Sequence, residues 1–174
     1  MTTIEIRSAK DQDIQDLALV HVHAWQWAYR GLISDVVLDR LNADQRAASW
    51  NQMLHEEMLP RPLVAVASVD IVGFVHADTS RDNDADALTG EVTALYLVRK
   101  HVGAGVGRQL WDAALNQLRN SGHTALTVWV LDTNQRGRHF YERMGMTMDG
   151  TTKEQTMGGS VLTEVRYQSS LSAF

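Results

Sequence analysis

The sequence predicts an α/β fold built around one mixed β-sheet, and three observations support this prediction. Short apolar or alternating segments typical of strands recur along the chain. Amphipathic segments with helical spacing separate them, and glycine or proline marks most of the boundaries. The resulting order, β-α-α-β-β-β-α-β-α-β-β, corresponds to about seven strands flanked by about four helices.

The first half of the chain is predicted to contain one strand and the first helices. Isoleucines alternate with polar residues around residues 4–6. Apolar residues follow helical spacing over residues 14–28. A short helical piece follows Ser34, and a helix over about residues 44–57 stops before Pro60.

The middle of the chain is predicted to contain strands. Residues 63–69 and 71–77 are typical of a hairpin with Asp70 near its turn. The aspartate-rich stretch 78–90 is expected to be an exposed loop. A strand over residues 91–98 follows it.

The last third continues the alternation. A helix is predicted over residues 106–120, and the unbroken apolar run 126–131 predicts a strand buried on both faces. A helix over residues 134–144 follows. One or two final strands are joined through Gly158 and Gly159.

Length and composition limit the possible functions. With 174 residues, we expect residues 1–174 to form a single domain. The chain has no cysteine, which excludes disulfides, a thiolate metal site and a cysteine nucleophile. This composition fits a reducing compartment, so a cytoplasmic location is expected.

Charge and hydropathy exclude further classes. The net charge is −5 and no cluster of Lys and Arg occurs, so we expect no nucleic-acid partner. Residues 1–7 lack the features of a signal peptide, and no apolar run approaches about 18 residues, so we expect no membrane partner. A mildly acidic chain is better matched to cationic partners such as amines.

The strongest chemical signal is a glycine-rich turn between a strand and a helix. Gly103, Gly105 and Gly107 alternate there. Such a turn directs backbone N–H groups to one point at the positive end of the helix dipole, where a phosphate can approach the backbone. Arg108 follows Gly107, which fits neither a Walker loop nor a dinucleotide fingerprint. A tight turn without a ligand is the alternative.

Two segments at this point resemble one family. The turn resembles the acetyl-CoA loop of the GNAT superfamily, Gln/Arg-x-x-Gly-x-Gly/Ala, with Val102 in place of the usual Gln or Arg. Residues 134–146 resemble the family block Asn-x-x-Ala/Gly-x-x-Phe-Tyr-x-x-x-Gly-Phe and depart from it only at Met146. The resemblance covers essentially the whole chain, and its flanking stretches are common in bacterial members of undefined substrate.

The resemblance implies a single-domain GNAT fold and an N-acetyltransferase. Such an enzyme transfers acetyl from acetyl-CoA to a primary amine, which is either a small cationic amine or a protein N-terminus or lysine. Direct transfer is expected because no cysteine exists to carry an acyl intermediate. A homodimer is possible. The alternative is a non-catalytic acetyl-CoA-binding regulatory or sensor domain.

The resemblance also implies two catalytic residues. Glu91 corresponds to a catalytic base, and the alternative is a solvated carboxylate at a strand end. Tyr141 corresponds to an acid for the leaving thiolate, since a phenol with a pKa near 10 stays protonated at neutral pH. The alternative for Tyr141 is a packing role. No metal is expected, because His21 and His23 are spaced i, i+2 and point to different sides of a helix.

Binding of acetyl-CoA is expected to depend largely on backbone groups. The GNAT fold splays two central strands, which would leave N–H groups free for the ligand. Arg138 and Arg143 could meet phosphates or belong to solvated helix faces. The residues expected to bind acetyl-CoA are Leu95, Tyr96, Leu97, Val102, Gly103, Ala104, Gly105, Val106, Gly107, Arg108, Asn134 and Phe140.

The acidic stretch before Glu91 predicts a preference for cationic acceptors. Asp78, Asp82, Asp84 and Asp86 are expected near the mouth of the site. Their charge would steer cationic amines toward it.

Overall fold

The computed structural model describes residues 3–55 and 60–174. It confirms an α/β fold with seven strands and five α-helices in that part of the chain. The elements in chain order are β1 (Ile4–Ser8), α1 (Ile14–Ala28), α2 (Asp35–Asp39), α3 (Ala43–His55), β2 (Leu63–Ala67), β3 (Asp70–Thr79), β4 (Thr89–Leu97), α4 (Val106–Asn120), β5 (Ala125–Leu131), α5 (Gln135–Arg143), β6 (Thr147–Met157) and β7 (Ser160–Ser170).

The sheet has the order β1-β2-β3-β4-β5-β7-β6 and is antiparallel except at its centre. There β4 and β5 run parallel, and their pairing ends at Val92 opposite Val128. Beyond this pair β4 continues to Leu97 and β5 to Leu131. The parts of β4 and β5 that do not pair with each other, residues 93–97 and 129–131, bound a gap that we call the wedge.

The helices cover both faces of the sheet. α4 packs on one face, where Leu110, Trp111 and Leu115 are almost fully buried. α1 and α3 pack on the other face, where Leu17 and Trp50 lie in a second apolar cluster. Because both faces are covered, β5 is largely buried without alternation, as the run 126–131 predicted.

The observed boundaries differ from the predicted ones in the first hairpin. Its turn lies at residues 68–69, where Ser68 has φ +60°, so the first strand ends at Ala67 and not at residue 69. Asp70, expected near the turn, begins β3 directly after it. The predicted loop 78–90 is also shorter, because β3 extends to Thr79 and β4 begins at Thr89. The predicted end of α3 near Glu57 lies outside the described residues.

The final hairpin is longer than its sequence pattern indicates. β6 and β7 are 11 residues each, and Gly158 and Gly159 between them both have positive φ, as their role in a turn requires. β6 is a mostly exposed edge strand, so its polar sequence lacks the apolar alternation that predicts a strand. A Cβ at Gly158 would collide with Val37, so the tip of this hairpin rests on α2.

Within the described ranges, no helix has the length and apolar character needed to cross a membrane.

Candidate active site

A cleft of about 370 Å³ opens at the wedge. Its walls come from α1, β4, β5, α5 and the β6–β7 hairpin. Eight of the residues expected from the sequence line it: Glu91, Leu95, Tyr96, Leu97, Val102, Asn134, Phe140 and Tyr141.

Backbone groups of β4 face the wedge at alternate residues. The Val98 N–H donates to the Val72 carbonyl at 2.9 Å. Because backbone groups of a strand alternate in direction, Val98, Tyr96 and Ala94 bond toward β3. Leu95 and Leu97 therefore direct their N–H groups into the wedge. The Leu97 carbonyl faces the same way, since it accepts a hydrogen bond from Trp27 Nε1 at 3.3 Å.

Tyr96 contributes differently from its two neighbours. Its register partner is Phe74, so its backbone bonds toward β3. Its side chain points to the α1 face, where its hydroxyl lies 3.0 Å from that of Tyr29 and its ring stacks on His21. Tyr96 thus supplies side-chain surface to the cleft, and the free N–H groups are those of Leu95 and Leu97.

The glycine-rich turn leads directly into α4. Gly103 and Gly105 have φ of +83° and +82°, a conformation that favours glycine, and Gly105 precedes the first helical residue, Val106. No described residue accepts a hydrogen bond from the N–H groups of residues 106–108. They are the free donors found at a helix N-terminus.

The turn lies at the rim of the cleft. Val102 lines it, whereas residues 103–108 do not. A Cβ at Gly103 or Gly105 would meet no atom within 4 Å, so both backbones face open space. Gly107 serves packing instead, because a Cβ there would lie 3.3 Å from Leu97 Cδ1 and 3.4 Å from Phe140 Cε2.

Glu91 lies on β4 just before the wedge opens. It pairs in register with Thr127 and is half-buried. Its Oε2 accepts a long hydrogen bond of 3.4 Å from the Arg81 N–H. Burial, with a smaller contribution from the charge of Asp82, raises the pKa of Glu91 above its usual value. Glu91 is therefore a better proton acceptor than an exposed glutamate.

Tyr141 lies on α5 with a buried ring. It packs on Trp111, Phe140 and Tyr167 at centroid distances of 5.6, 5.4 and 6.4 Å. No described residue accepts a hydrogen bond from its hydroxyl, although the residue lines the cleft. Burial raises its pKa, so the phenol stays protonated. The packing of the ring is therefore observed, and the hydroxyl is left without a partner among the described residues.

Asn134 is the N-cap of α5. Its Oδ1 accepts a hydrogen bond from the Gly137 N–H at 3.0 Å. A Cβ at Gly137 would lie 2.8 Å from Asn134 Nδ2 and 2.9 Å from Val130 Cγ2, which accounts for glycine at this position of the block. Asn134 also lines the cleft.

The arginines of α4 and α5 differ in how firmly other residues hold their side chains. Arg138 is engaged by the Asp132 carbonyl at 3.0 Å and the Tyr167 hydroxyl at 3.2 Å. Arg108 makes an exposed contact of 3.7 Å with Asp112. Arg143 is exposed. Arg138 is thus part of the framework between α5 and β7.

The acidic stretch expected at the mouth does not line the cleft, and two of its carboxylates are held in ion pairs. Arg166 on β7 donates all five of its N–H groups, to Asp82, Asp84, Asp149 and Thr151. Asp82 also accepts from Trp129 Nε1 at 3.0 Å. Asp82 and Asp84 are therefore structural, and a local pattern could not show this because Arg166 is far away in the chain.

Several residues of the cleft were missed by sequence reasoning. Trp129 lies in the apolar run of β5, and Lys153 Nζ lies 4.1 Å from its ring centroid and 3.4 Å from Glu164 Oε2. Arg136 lies over the Trp27 ring at 4.7 Å. No periodicity marks these residues as part of the cleft. The only local signal is residue type, an indole in an apolar strand or a cation in a strand or helix. In the described ranges, no cluster of three potential metal ligands occurs.

Comparisons with known proteins agree with this geometry. A sequence profile described as the Acetyltransferase (GNAT) family matches residues 20–146. An uncharacterized N-acetyltransferase from Archaeoglobus fulgidus is 30% identical over 141 residues, covering 79% of this chain and 89% of that protein. The uncharacterized N-acetyltransferase YuaI of Bacillus subtilis is 29% identical over 132 residues, covering 75% and 73%.

The same fold occurs among solved structures. The putative acetyltransferase yncA from Salmonella typhimurium, solved with acetyl-CoA, superimposes with a TM-score of 0.72. The match covers 98% of this chain and 95% of that one at 21% identity, which shows the shared fold.

Proposed function

The chain belongs to the acetyltransferase (GNAT) family and is an enzyme of that family, and from this premise we propose that it transfers the acetyl group of acetyl-CoA to a primary amine. The wedge between β4 and β5 carries the proposal. It offers free strand N–H groups along one side and a helix N-terminus at its rim. That combination suits an extended thioester arm that ends in a pyrophosphate.

In this proposal the pyrophosphate and the pantetheine arm of acetyl-CoA each have a counterpart in the chain. The pyrophosphate lies against the N–H groups of residues 106–108. The pantetheine arm follows Leu95 and Leu97, and the Asn134 amide bonds to it while also capping α5. The open space at Gly103 and Gly105 supports this arrangement, because it lets a phosphate reach the backbone.

The reaction is an acyl transfer in which Glu91 and Tyr141 handle protons. Glu91 takes the proton of the acceptor ammonium, directly or through water, and the neutral amine attacks the thioester carbonyl. Wedge N–H groups stabilise the charge on the carbonyl oxygen. The C–N bond forms, the C–S bond breaks, and Tyr141 gives a proton to the departing thiolate. The attacking nitrogen, now positively charged, loses its second proton through water, which restores the Tyr141 phenol and leaves the neutral amide.

The acceptor enters between α1 and the β6–β7 hairpin. Because Arg166 neutralises part of the acidic loop and Lys153 pairs with Glu164, a preference for cationic amines now depends mainly on Glu91 in the cleft wall. Small amines and the amines of peptides both remain within the proposal. The homodimer and the cytoplasmic location stay predictions.

A panel of primary amines tests the proposal. Polyamines, aminosugars, amino acids and peptides are each incubated with acetyl-CoA, and free thiol is measured over time. We expect amine-dependent thiol release for at least one class and its loss in a Glu91→Gln variant. Binding of acetyl-CoA without amine-dependent thiol would identify a non-catalytic binding domain instead.

A further inference from the structure

Thr93 and His76 form a hydrogen-bonded pair where β4 leaves β5. Thr93 follows Val92, the last β4 residue that is paired with β5, and it is exposed in the wall of the cleft. Its Oγ1 lies 2.6 Å from His76 Nδ1. His76 itself is 2% exposed. The chemistry described above uses neither residue.

A third group fixes which atom of the pair donates. His76 Nε2 lies 3.2 Å from the Pro60 carbonyl oxygen, which only accepts, so Nε2 carries the ring proton. Burial lowers the pKa of His76, and the charges of Asp78 and Arg81 act on it in opposite directions. The ring therefore stays neutral with a lone pair on Nδ1. The Thr93 hydroxyl can donate to this lone pair at 2.6 Å or to the His76 backbone carbonyl at 3.3 Å, and in both cases its proton points toward His76 and away from the cleft.

This arrangement makes the Thr93 hydroxyl a hydrogen-bond acceptor on the side of the cleft. A hydroxyl has one proton and two lone pairs, so a hydroxyl that donates to His76 only accepts from any other partner. Thr93 lies two positions after Glu91 on the same strand and is the extra residue of a β-bulge, since Ala94 pairs with His76 and Val92 with Ala77. Both residues line the cleft. The cleft thus presents two hydrogen-bond acceptors side by side.

We propose that Thr93 accepts a hydrogen bond from the attacking amine and makes the enzyme prefer primary over secondary amines. This inference rests on the proposed N-acetyltransferase function. A neutral primary amine has two N–H groups and one lone pair. With one N–H held by Glu91, directly or through water, and the other by Thr93 Oγ1, the lone pair points toward the thioester carbonyl. A secondary amine has one N–H and loses one of the two contacts.

His76 acts through Thr93 as a positioning residue. It holds the hydroxyl proton away from the cleft, so the lone pairs of Oγ1 face the amine. Its own contacts with Trp50, at 6.4 Å between ring centroids, and with Pro60 hold the imidazole in place.

The test compares Thr93→Val with Thr93→Ser. Valine keeps the shape and removes the hydroxyl, whereas serine keeps the hydroxyl and removes the methyl group. For the best primary amine of the panel and its N-methyl derivative, the ratio of kcat/KM values is measured in each variant. We expect Thr93→Val to lower this ratio about three- to tenfold, the effect of one lost hydrogen bond. Thr93→Ser should keep the ratio within about twofold, since its hydroxyl remains.

Control measurements separate this effect from others. Calorimetry should give an unchanged acetyl-CoA Kd in both variants, and thermal unfolding should show that both fold. An unchanged ratio in Thr93→Val overturns the inference while leaving the proposed function intact. An equal fall in both variants also overturns it, because shape and not the hydroxyl would then decide. A wild-type protein that acetylates no amine overturns the inference and the proposed function together.

Discussion

At the scale of single residues, burial determines the chemistry of the two proposed proton carriers. Glu91 and Tyr141 both have raised pKa values because their surroundings exclude water. For a glutamate this makes a stronger base, and for a tyrosine it keeps the proton in place. The same apolar environment therefore prepares one residue to accept a proton and the other to keep a proton that it can donate.

The hydroxyl of Tyr141 is expected to matter for turnover more than for binding. Tyr141→Phe keeps the ring contacts with Trp111 and Phe140 and removes only the hydroxyl. If the hydroxyl protonates the thiolate, turnover should fall about ten- to a thousandfold. The acetyl-CoA Kd, measured by calorimetry, should change much less. Undiminished turnover, with chemistry limiting the rate, would mean that the tyrosine only packs.

Glu91 is expected to reduce stability at neutral pH. Its raised pKa favours the protonated form in the folded chain. Protonated Glu91 therefore contributes to the free energy of unfolding below the unfolded pKa of about 4.3, and this contribution is lost as the pH rises through the folded pKa. Glu91→Gln stays neutral, so its Tm should exceed that of the wild type at pH 7. The two Tm values should converge near pH 4. A lower Tm for the variant at pH 7 would contradict this assignment.

At the scale of elements, two connections hold the site in shape. The glycine-rich turn presents the N-terminus of α4 at the rim of the cleft. Arg166 joins the loop 80–88 to β6 and β7, and through Asp82 it fixes the Trp129 indole in the cleft wall. Both connections depend on backbone or side-chain geometry that a single substitution can remove.

Gly105→Leu is expected to weaken acetyl-CoA binding beyond its cost in stability. A side chain at φ +82° costs about 1–2 kcal/mol, and it would also fill the space above the free N–H groups. Gly122→Leu is the matched control, because Gly122 has φ +90° and open space at the other end of α4. The Tm of both variants should fall by similar amounts, but only Gly105→Leu should raise the acetyl-CoA Kd. Equal Kd values would show that the turn does not bind the ligand.

Arg166→Gln is expected to destabilise the fold strongly. The Arg166 and Asp149 side chains are 10% and 9% exposed, and removing one partner of a buried ion pair costs about 3–5 kcal/mol. Arg30→Gln removes an exposed arginine with two carboxylate partners and should change the unfolding free energy far less. Urea unfolding of both variants checks this. Similar values for the two would indicate that the Arg166 contacts contribute little.

At the scale of the whole molecule, the wedge divides the sheet into two parts. Four residue pairs join β4 to β5, and the remaining lengths of both strands face the cleft. A ligand that lies in the wedge would replace the missing strand pairing. Binding and stability should therefore be coupled through the centre of the fold.

Acetyl-CoA is expected to stabilise the folded chain and to protect particular amides. At about 100 times Kd, a ligand that binds only the folded state adds about 2.7 kcal/mol and raises Tm. Hydrogen exchange should slow at the Leu95 and Leu97 amides, because these face the wedge. Phe74, whose backbone bonds within the β3–β4 ladder, is an internal reference. Unchanged exchange at Leu95 and Leu97 with a raised Tm would place the ligand elsewhere.

Much of the fold and part of the site could be predicted from local patterns. Helical spacing, the alternating glycines and the block at residues 134–146 each depend on neighbouring residues in the chain, so the sequence alone determined the α/β class, the start of α4 and the cap at Asn134. The family resemblance directed attention to Glu91 and Tyr141.

Only the tertiary structure decided which distant residues meet. Arg166 lies 82 positions from Asp84 in the chain, yet their contact gives part of the expected acidic mouth a structural role. The polar edge strand β6 brought Lys153 to Trp129, and pairing with β3 brought His76 to Thr93. Such contacts depend on strand order and register, because these determine which side chains of separate segments share a face. A pattern along one segment carries no information about its partner across the sheet.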